Sequence, residues 1–135
     1  MDFQVNYVAI IVAAIVYMAL GALWYSKWMF KTKYLNLTKQ TPVETKGYAS
    51  WAMSWATVTA VIMAYVLALT INTFQMKTAA NGAIVAAIMW AGFTLTTLAH
   101  GYLWYKKPLG LFLIEASHYL ISMIVMGAII GGWMW

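Results

Sequence analysis

Cysteine is absent from the chain, and acids number only three among 135 positions: Asp2, Glu44 and Glu115. Without cysteine there are no disulfides, no thiolate metal sites and no thiol chemistry, and the redox compartment is left open. Charge is scarce as well. With 8% charged residues against 64% hydrophobic and a mean hydropathy of +0.77, too little polar surface remains for a water-soluble domain. No Gly-x-Ser-x-Gly elbow and no phosphate-cradling glycine loop occurs, so serine hydrolysis and nucleotide chemistry lose their sequence support. The first apolar stretch follows Asp2 rather than a basic segment and is too long for a signal-peptide core, so no cleaved leader is expected.

What is there is apolar length. Charges divide the chain into stretches 3–26, 47–76, 78–105 and 108–135, the last interrupted only by Glu115. About 20 helical residues at ~1.5 Å rise cross the ~30 Å hydrocarbon layer, and strands of this length are not expected. The predicted fold is therefore an all-α integral membrane protein, a four-transmembrane-helix bundle in one domain over 1–135. Spans fall near 5–26, 49–71, 80–104 and 109–132.

Lysine placement sets the expected orientation. Lys27, Lys31, Lys33, Lys39 and Lys46 lie in the first loop, Lys106 and Lys107 in the third, and only Lys77 on the other side. By the positive-inside bias, the loop 27–48 and the third loop are cytoplasmic and both termini outside. The net charge of +5 is thus a topology signal, and nucleic acid is not an expected partner. Trp24, Tyr25, Trp28, Tyr48, Trp51, Tyr102, Trp104 and Tyr105 read as the inner aromatic belt, with Trp133 and Trp135 at the outer one. The segment from Lys27 to Leu35 mixes lysine with large rings and suits an anionic headgroup layer, and Pro42 marks an irregular stretch.

One internal echo stands out. Residues 21–27 and 101–107 share the pattern Gly-x-Leu-Trp-Tyr-x-Lys at the same predicted end of the first and third spans. That spacing suggests two parallel helical hairpins related by an axis along the membrane normal.

Ionisable residues inside spans cost about 2.5–3.5 kcal/mol at mid-helix and are functional candidates by default. Here they are His100, Glu115 and His118. Glu115 and His118 fall about 60° apart on one helix, with Ser122 near the same line. Ser50, Ser54 and Thr57 on the second span, and Thr96, Thr97 and His100 on the third, lie at similar depth. This one-sided distribution predicts a polar site in the cytoplasmic half, with Glu115, His118, His100, Ser122, Ser54 and Thr97 as ligand- or proton-binding candidates. The competing account has the hydroxyls bonding their own helix carbonyls and Glu115 pairing with a histidine as interhelical glue.

No cofactor is implied, and no catalytic residue is singled out. Glu-x-x-His is half of a di-iron helix pattern whose second half is missing, so any metal would rest on Glu115, His118 and His100. Methionines in spans, Met123 and Met126 among them, read as packing rather than copper ligands. Gly127-x-x-x-Gly131 permits close approach of another helix, within the bundle or across a homodimer.

Gly21-Ala22-Leu23-Trp24-Tyr25-Ser26, Trp90-x-Gly92-Phe93, Leu111-Phe112-Leu113-Ile114 and Gly127-x-Ile129-x-Gly131-x-Trp133 together resemble the bacterial membrane family called domain of unknown function 1761. The resemblance covers nearly the whole chain. It implies a small multi-pass protein of the bacterial inner membrane and brings no established activity. Where relatives tend to have proline after Trp-Tyr-Ser and Asn-x-Gly-Tyr on the last helix, this chain has Lys27 and Glu115-Ala116-Ser117-His118. The leading functional expectation is a proton-linked transporter or ligand-binding protein centred on Glu115. The alternative is an accessory or scaffold subunit of a larger membrane complex, and the third an enzyme or metal-binding protein.

Overall fold

A computed structural model describes residues 4–26, 33, 36–37 and 49–133. Within them lie four helices long and apolar enough to span a membrane, and no strand. The first is Tyr7–Trp24 and the second Ala49–Thr73. The third span, Ala79–Trp104, runs as an α-helix Ala79–Met89, a π-helical turn Trp90–Thr94 and an α-helix Leu95–Trp104. The fourth is Leu109–Gly132. Most of the first loop, the belt residues Trp28, Tyr48 and Trp135, and the side chains of Ser50 and Trp51 lie outside the described residues.

The helix ends are written locally. Asn6 caps the first helix, its Oδ1 accepting from the Val8 and Ala9 N–H groups at 3.0 and 3.2 Å. Thr78 caps the third in the same way, accepting from the Asn81 N–H at 3.1 Å. Gln75, at φ 56°, takes the left-handed turn that lets the Met76 N–H return to the Ile71 carbonyl at 3.0 Å and close the second helix. Pro108 precedes the fourth helix, where its missing N–H costs nothing.

The fourth helix is the hub. It packs most extensively on the N-terminal part of the third helix, Ala79–Met89, and then on the first, which in turn packs on the second. Consecutive helices thus pair as two hairpins, joined mainly through the first and fourth. Glycine explains the tightest crossing. Gly82 lies against the backbone of Gly127 and Gly131, Gly131 lies against the Thr78 carbonyl, and a Cβ at Gly127 would sit 2.8 Å from the Ala86 Cβ. Lipid tails are as apolar as leucine, so helices hold together in a bilayer by such close backbone approach. The glycine pair at 127 and 131 therefore meets the third helix of the same chain. Nearby, Met126 and Ile130 are fully buried beside Leu67, Ala68 and Ile71 of the second helix.

Below the π-helical turn the third helix behaves differently: no residue of Leu95–Trp104 is buried. A π turn inserts one residue into the helical phase, so the face presented to the neighbour changes across it. The end of the bundle that carries Leu95–Trp104 is consequently looser than the end that carries Ala79–Met89.

Candidate functional site

The looser half is held open by rings. Trp24, at the end of the first helix, donates its indole N–H to the Ile114 carbonyl at 3.1 Å, and Trp90, opening the π turn, donates to the Ala116 carbonyl at 3.0 Å. Two helices thus grip the fourth on either side of Glu115. Such indole bonds satisfy the tryptophan N–H inside an apolar medium and fix the rotation of the helix they grip.

One turn beyond Glu115 stands His118, 6% exposed. Aromatic rings surround it: Tyr119 at 5.2 Å between centroids, Tyr25 edge-on at 5.3 Å, Tyr17 at 5.7 Å and Trp24 at 6.4 Å. Gly21 leaves room for the imidazole, since a methyl there would lie 3.4 Å from its Nε2. Among the described residues neither ring nitrogen of His118 has a hydrogen-bond partner, although both are buried. Leaving a buried polar group unsatisfied costs about 1–3 kcal/mol, so an imidazole in this state has unused bonding capacity.

His118 lines a cavity of about 500 Å³ with Tyr25, Leu98, Lys107, Glu115 and Tyr119. Glu115 is half-buried on this wall, and Lys107 is exposed at its rim. One turn deeper along the helix, Ser122 is fully buried, and its hydroxyl likewise lacks a partner among the described residues. The stripe 115, 118 and 122 thus runs from the rim inward.

The remaining sequence candidates lie elsewhere. His100 is exposed on the third helix and does not line this cavity. Among the described residues no group of three histidine, cysteine or acidic side chains could hold a metal ion. His100 thus stands exposed on its helix, apart from the cavity that Glu115 and His118 line. Thr97 is exposed and donates to its own helix at the Phe93 carbonyl, 2.6 Å away, and Thr96 does so to the Gly92 carbonyl at 2.9 Å. Ser54 and Thr57 are exposed on the second helix, Thr57 donating to the Met53 carbonyl at 2.9 Å. Back-bonding of this kind satisfies a hydroxyl at an apolar surface without any second helix. Met123 and Met126 sit in the packed core, and Met123 accepts a hydrogen bond from Thr94 at 3.5 Å.

Sequence reading missed Tyr17, Tyr119, Trp90 and Lys107 as parts of one site, and assigned Trp24 and Tyr25 to the interface. The available signal was Gly21 at helical spacing from both Tyr17 and Tyr25, which marks a face that approaches another helix closely.

Four apolar spanning helices, a glycine-tight crossing and a polar stripe within the bundle define a multi-pass helical membrane protein. The chain belongs to the family described as "Protein of unknown function (DUF1761)", whose family model matches residues 8–131. No curated protein and no solved structure matches it.

Proposed function

We propose that this protein is a proton-linked carrier of the bacterial inner membrane that binds a small polar ligand from the cytoplasmic side, in the cavity lined by Glu115 and His118. The observation carrying this reading is His118, buried with both ring nitrogens unpartnered among the described residues on a wall it shares with a carboxylate. A histidine serving only as interhelical glue is satisfied by the helix it joins; both ring nitrogens of this one are buried without such a partner among the described residues. Imidazole and carboxylate in contact with one cavity can exchange a proton as a ligand arrives or leaves. The groups around His118 are Tyr17, Trp24 and Tyr25 from the first helix and its end, Glu115 and Tyr119 from its own helix, and Lys107 from the third loop. Glu115 is the only acid among them. The cytoplasmic assignment of this end rests on seven lysines in the first and third loops against Lys77 opposite.

The test uses purified protein in liposomes loaded with a pH-sensitive dye and challenged with amines, amino acids and organic anions. Wild type is expected to move protons with at least one class, and Glu115→Gln, which keeps the side-chain shape, to lose that movement while folding normally. Identical traces from both proteins across the panel would remove the reading.

An accessory-subunit role is the second reading, favoured by the exposed His100 on a half-helix with no buried residue. Polar groups facing lipid are costly, and a partner helix would cover them. Co-isolation with a larger subunit at fixed stoichiometry would carry it, and a monodisperse single chain with full ligand response would not.

A further inference from the structure

The charges at the mouth of the cavity identify the kind of ligand, on the reading that this cavity is a binding site. Lys107 is aimed there by the backbone. Lys106 sits at φ 54°, in the left-handed region, and the turn it makes brings the Lys107 N–H back to the Gly101 carbonyl at 3.3 Å. The Lys107 side chain then folds over the last turn of the third helix across Gly101, where a Cβ would stand 3.2 Å from its Cδ and 3.5 Å from its Nζ. Glycine at 101 permits this path, and the negative end of the helix favours the ammonium lying over it.

Lys107 and Glu115 line the same cavity. Among the described residues no ion pair joins them. The same lining includes His118, which as a neutral imidazole has one nitrogen to donate and one to accept, together with the rings of Tyr25 and Tyr119. With His118 neutral the two charges cancel. A purely cationic ligand would meet Lys107 as a like charge, and a purely anionic one would meet Glu115. A ligand carrying both signs satisfies each without leaving either unpaired in a low-dielectric site. Aromatic faces beside a carboxylate are the surroundings that recognise an organic ammonium group, and a lysine ammonium at the rim suits a carboxylate or phosphate. About 500 Å³ falls within the range of small-molecule sites, roughly 300–1,000 Å³.

We propose that the cavity takes a small zwitterion, its ammonium group against Glu115 and the Tyr25 and Tyr119 rings and its carboxylate or phosphate on Lys107. The same chemistry is offered by free amino acids and betaines and by the phosphatidylethanolamine headgroup.

The experiment measures thermal shift and calorimetric binding on the full chain in nanodiscs of phosphatidylglycerol alone, which lack an ammonium group. The probes are glycine betaine and phosphoethanolamine as zwitterions, choline and ethanolamine as cations, and acetate and phosphate as anions. At least one zwitterion is expected to bind tenfold or more tightly than the cation and anion resembling its two ends. Lys107→Gln should erase its advantage over the cation, and Glu115→Gln its advantage over the anion, with melting temperature and monodispersity confirming the fold of both. Adding phosphatidylethanolamine to the nanodisc separates the sources. Competition against the soluble zwitterion identifies the lipid headgroup as occupant, and undiminished binding identifies the free compound. A cation that binds as well as every zwitterion, with Lys107→Gln neutral, overturns the zwitterion and leaves the carrier reading standing. Silence from every probe, with no proton movement in liposomes, overturns both.

Discussion

The two halves of the bundle solve helix association in opposite ways. At one end the third and fourth helices meet backbone to backbone through Gly82, Gly127 and Gly131, with no space for a side chain between them. At the other end the same two helices border a cavity and are joined by a single indole-to-carbonyl bond from Trp90 and by the stacking of Tyr102 on Phe112. The close crossing supplies contact area, and the open end retains unsatisfied polar groups. A small chain can keep a costly imidazole because its stability is concentrated elsewhere.

The difference recurs in the two copies of Gly-x-Leu-Trp-Tyr. At the first helix, Gly21 faces His118, Trp24 bonds the Ile114 carbonyl and Tyr25 contacts the imidazole. At the third helix, Gly101 faces Lys107, while Trp104 and Tyr105 are 77% and 78% exposed. Identical residues are therefore a clamp in one place and, in the other, exposed rings of the kind that anchor at a membrane interface.

The sharpest way to break the contrast between halves is Gly127→Leu. Its side chain would collide with backbone of the third helix, and overpacking of a filled interface costs ~1–3 kcal/mol or more. Ala128→Leu, on a half-buried face, should cost far less. Equal melting temperatures for the two variants in detergent would contradict the glycine crossing.

His118→Phe should act in the opposite direction. Replacing an unpartnered buried polar ring by an apolar one of similar size removes a penalty of about 1–3 kcal/mol. The variant is expected to melt higher than wild type while losing ligand response. A lower melting temperature would mean that the imidazole has a structural partner.

Next in size is the pair Trp24→Phe and Trp104→Phe. The first deletes a hydrogen bond worth ~0.5–1.5 kcal/mol and frees the Glu115 turn, whereas the second should stay within about 0.5 kcal/mol. Similar losses from both would dissolve the distinction between clamp and anchor.

The smallest expected effect is Gly21→Ala. Its methyl makes ordinary contact with His118 at 3.4 Å, so stability should hardly change. Because that methyl borders a cavity-lining ring, any change should appear in ligand affinity first. A large loss of stability would show that Gly21 is packed more tightly than the structure has it.

Much of the fold was legible because bilayer physics is coarse: scarce charge and four long apolar stretches leave few alternatives to four spanning helices. The site was legible only in part. Glu115, His118 and Ser122 share a helix, so periodicity alone aligned them. His100, Thr97 and Ser54 had been grouped with them by depth, and depth does not say which way a side chain points. The π turn at Trp90–Thr94 changes the facing of the third helix, and no periodicity argument from a single chain anticipates it.

By itself, then, the sequence determined the class of protein, its helices and the polar stripe of the fourth helix. These follow from hydropathy over helix-length windows and from a 3.6-residue repeat. Only the tertiary structure decided that Gly127 and Gly131 meet Gly82, that Trp24 and Trp90 grip the chain around Glu115, and that Lys107 joins His118 at one cavity. Those facts depend on the rotation and spacing of helices, which many weak contacts set together and no single residue encodes.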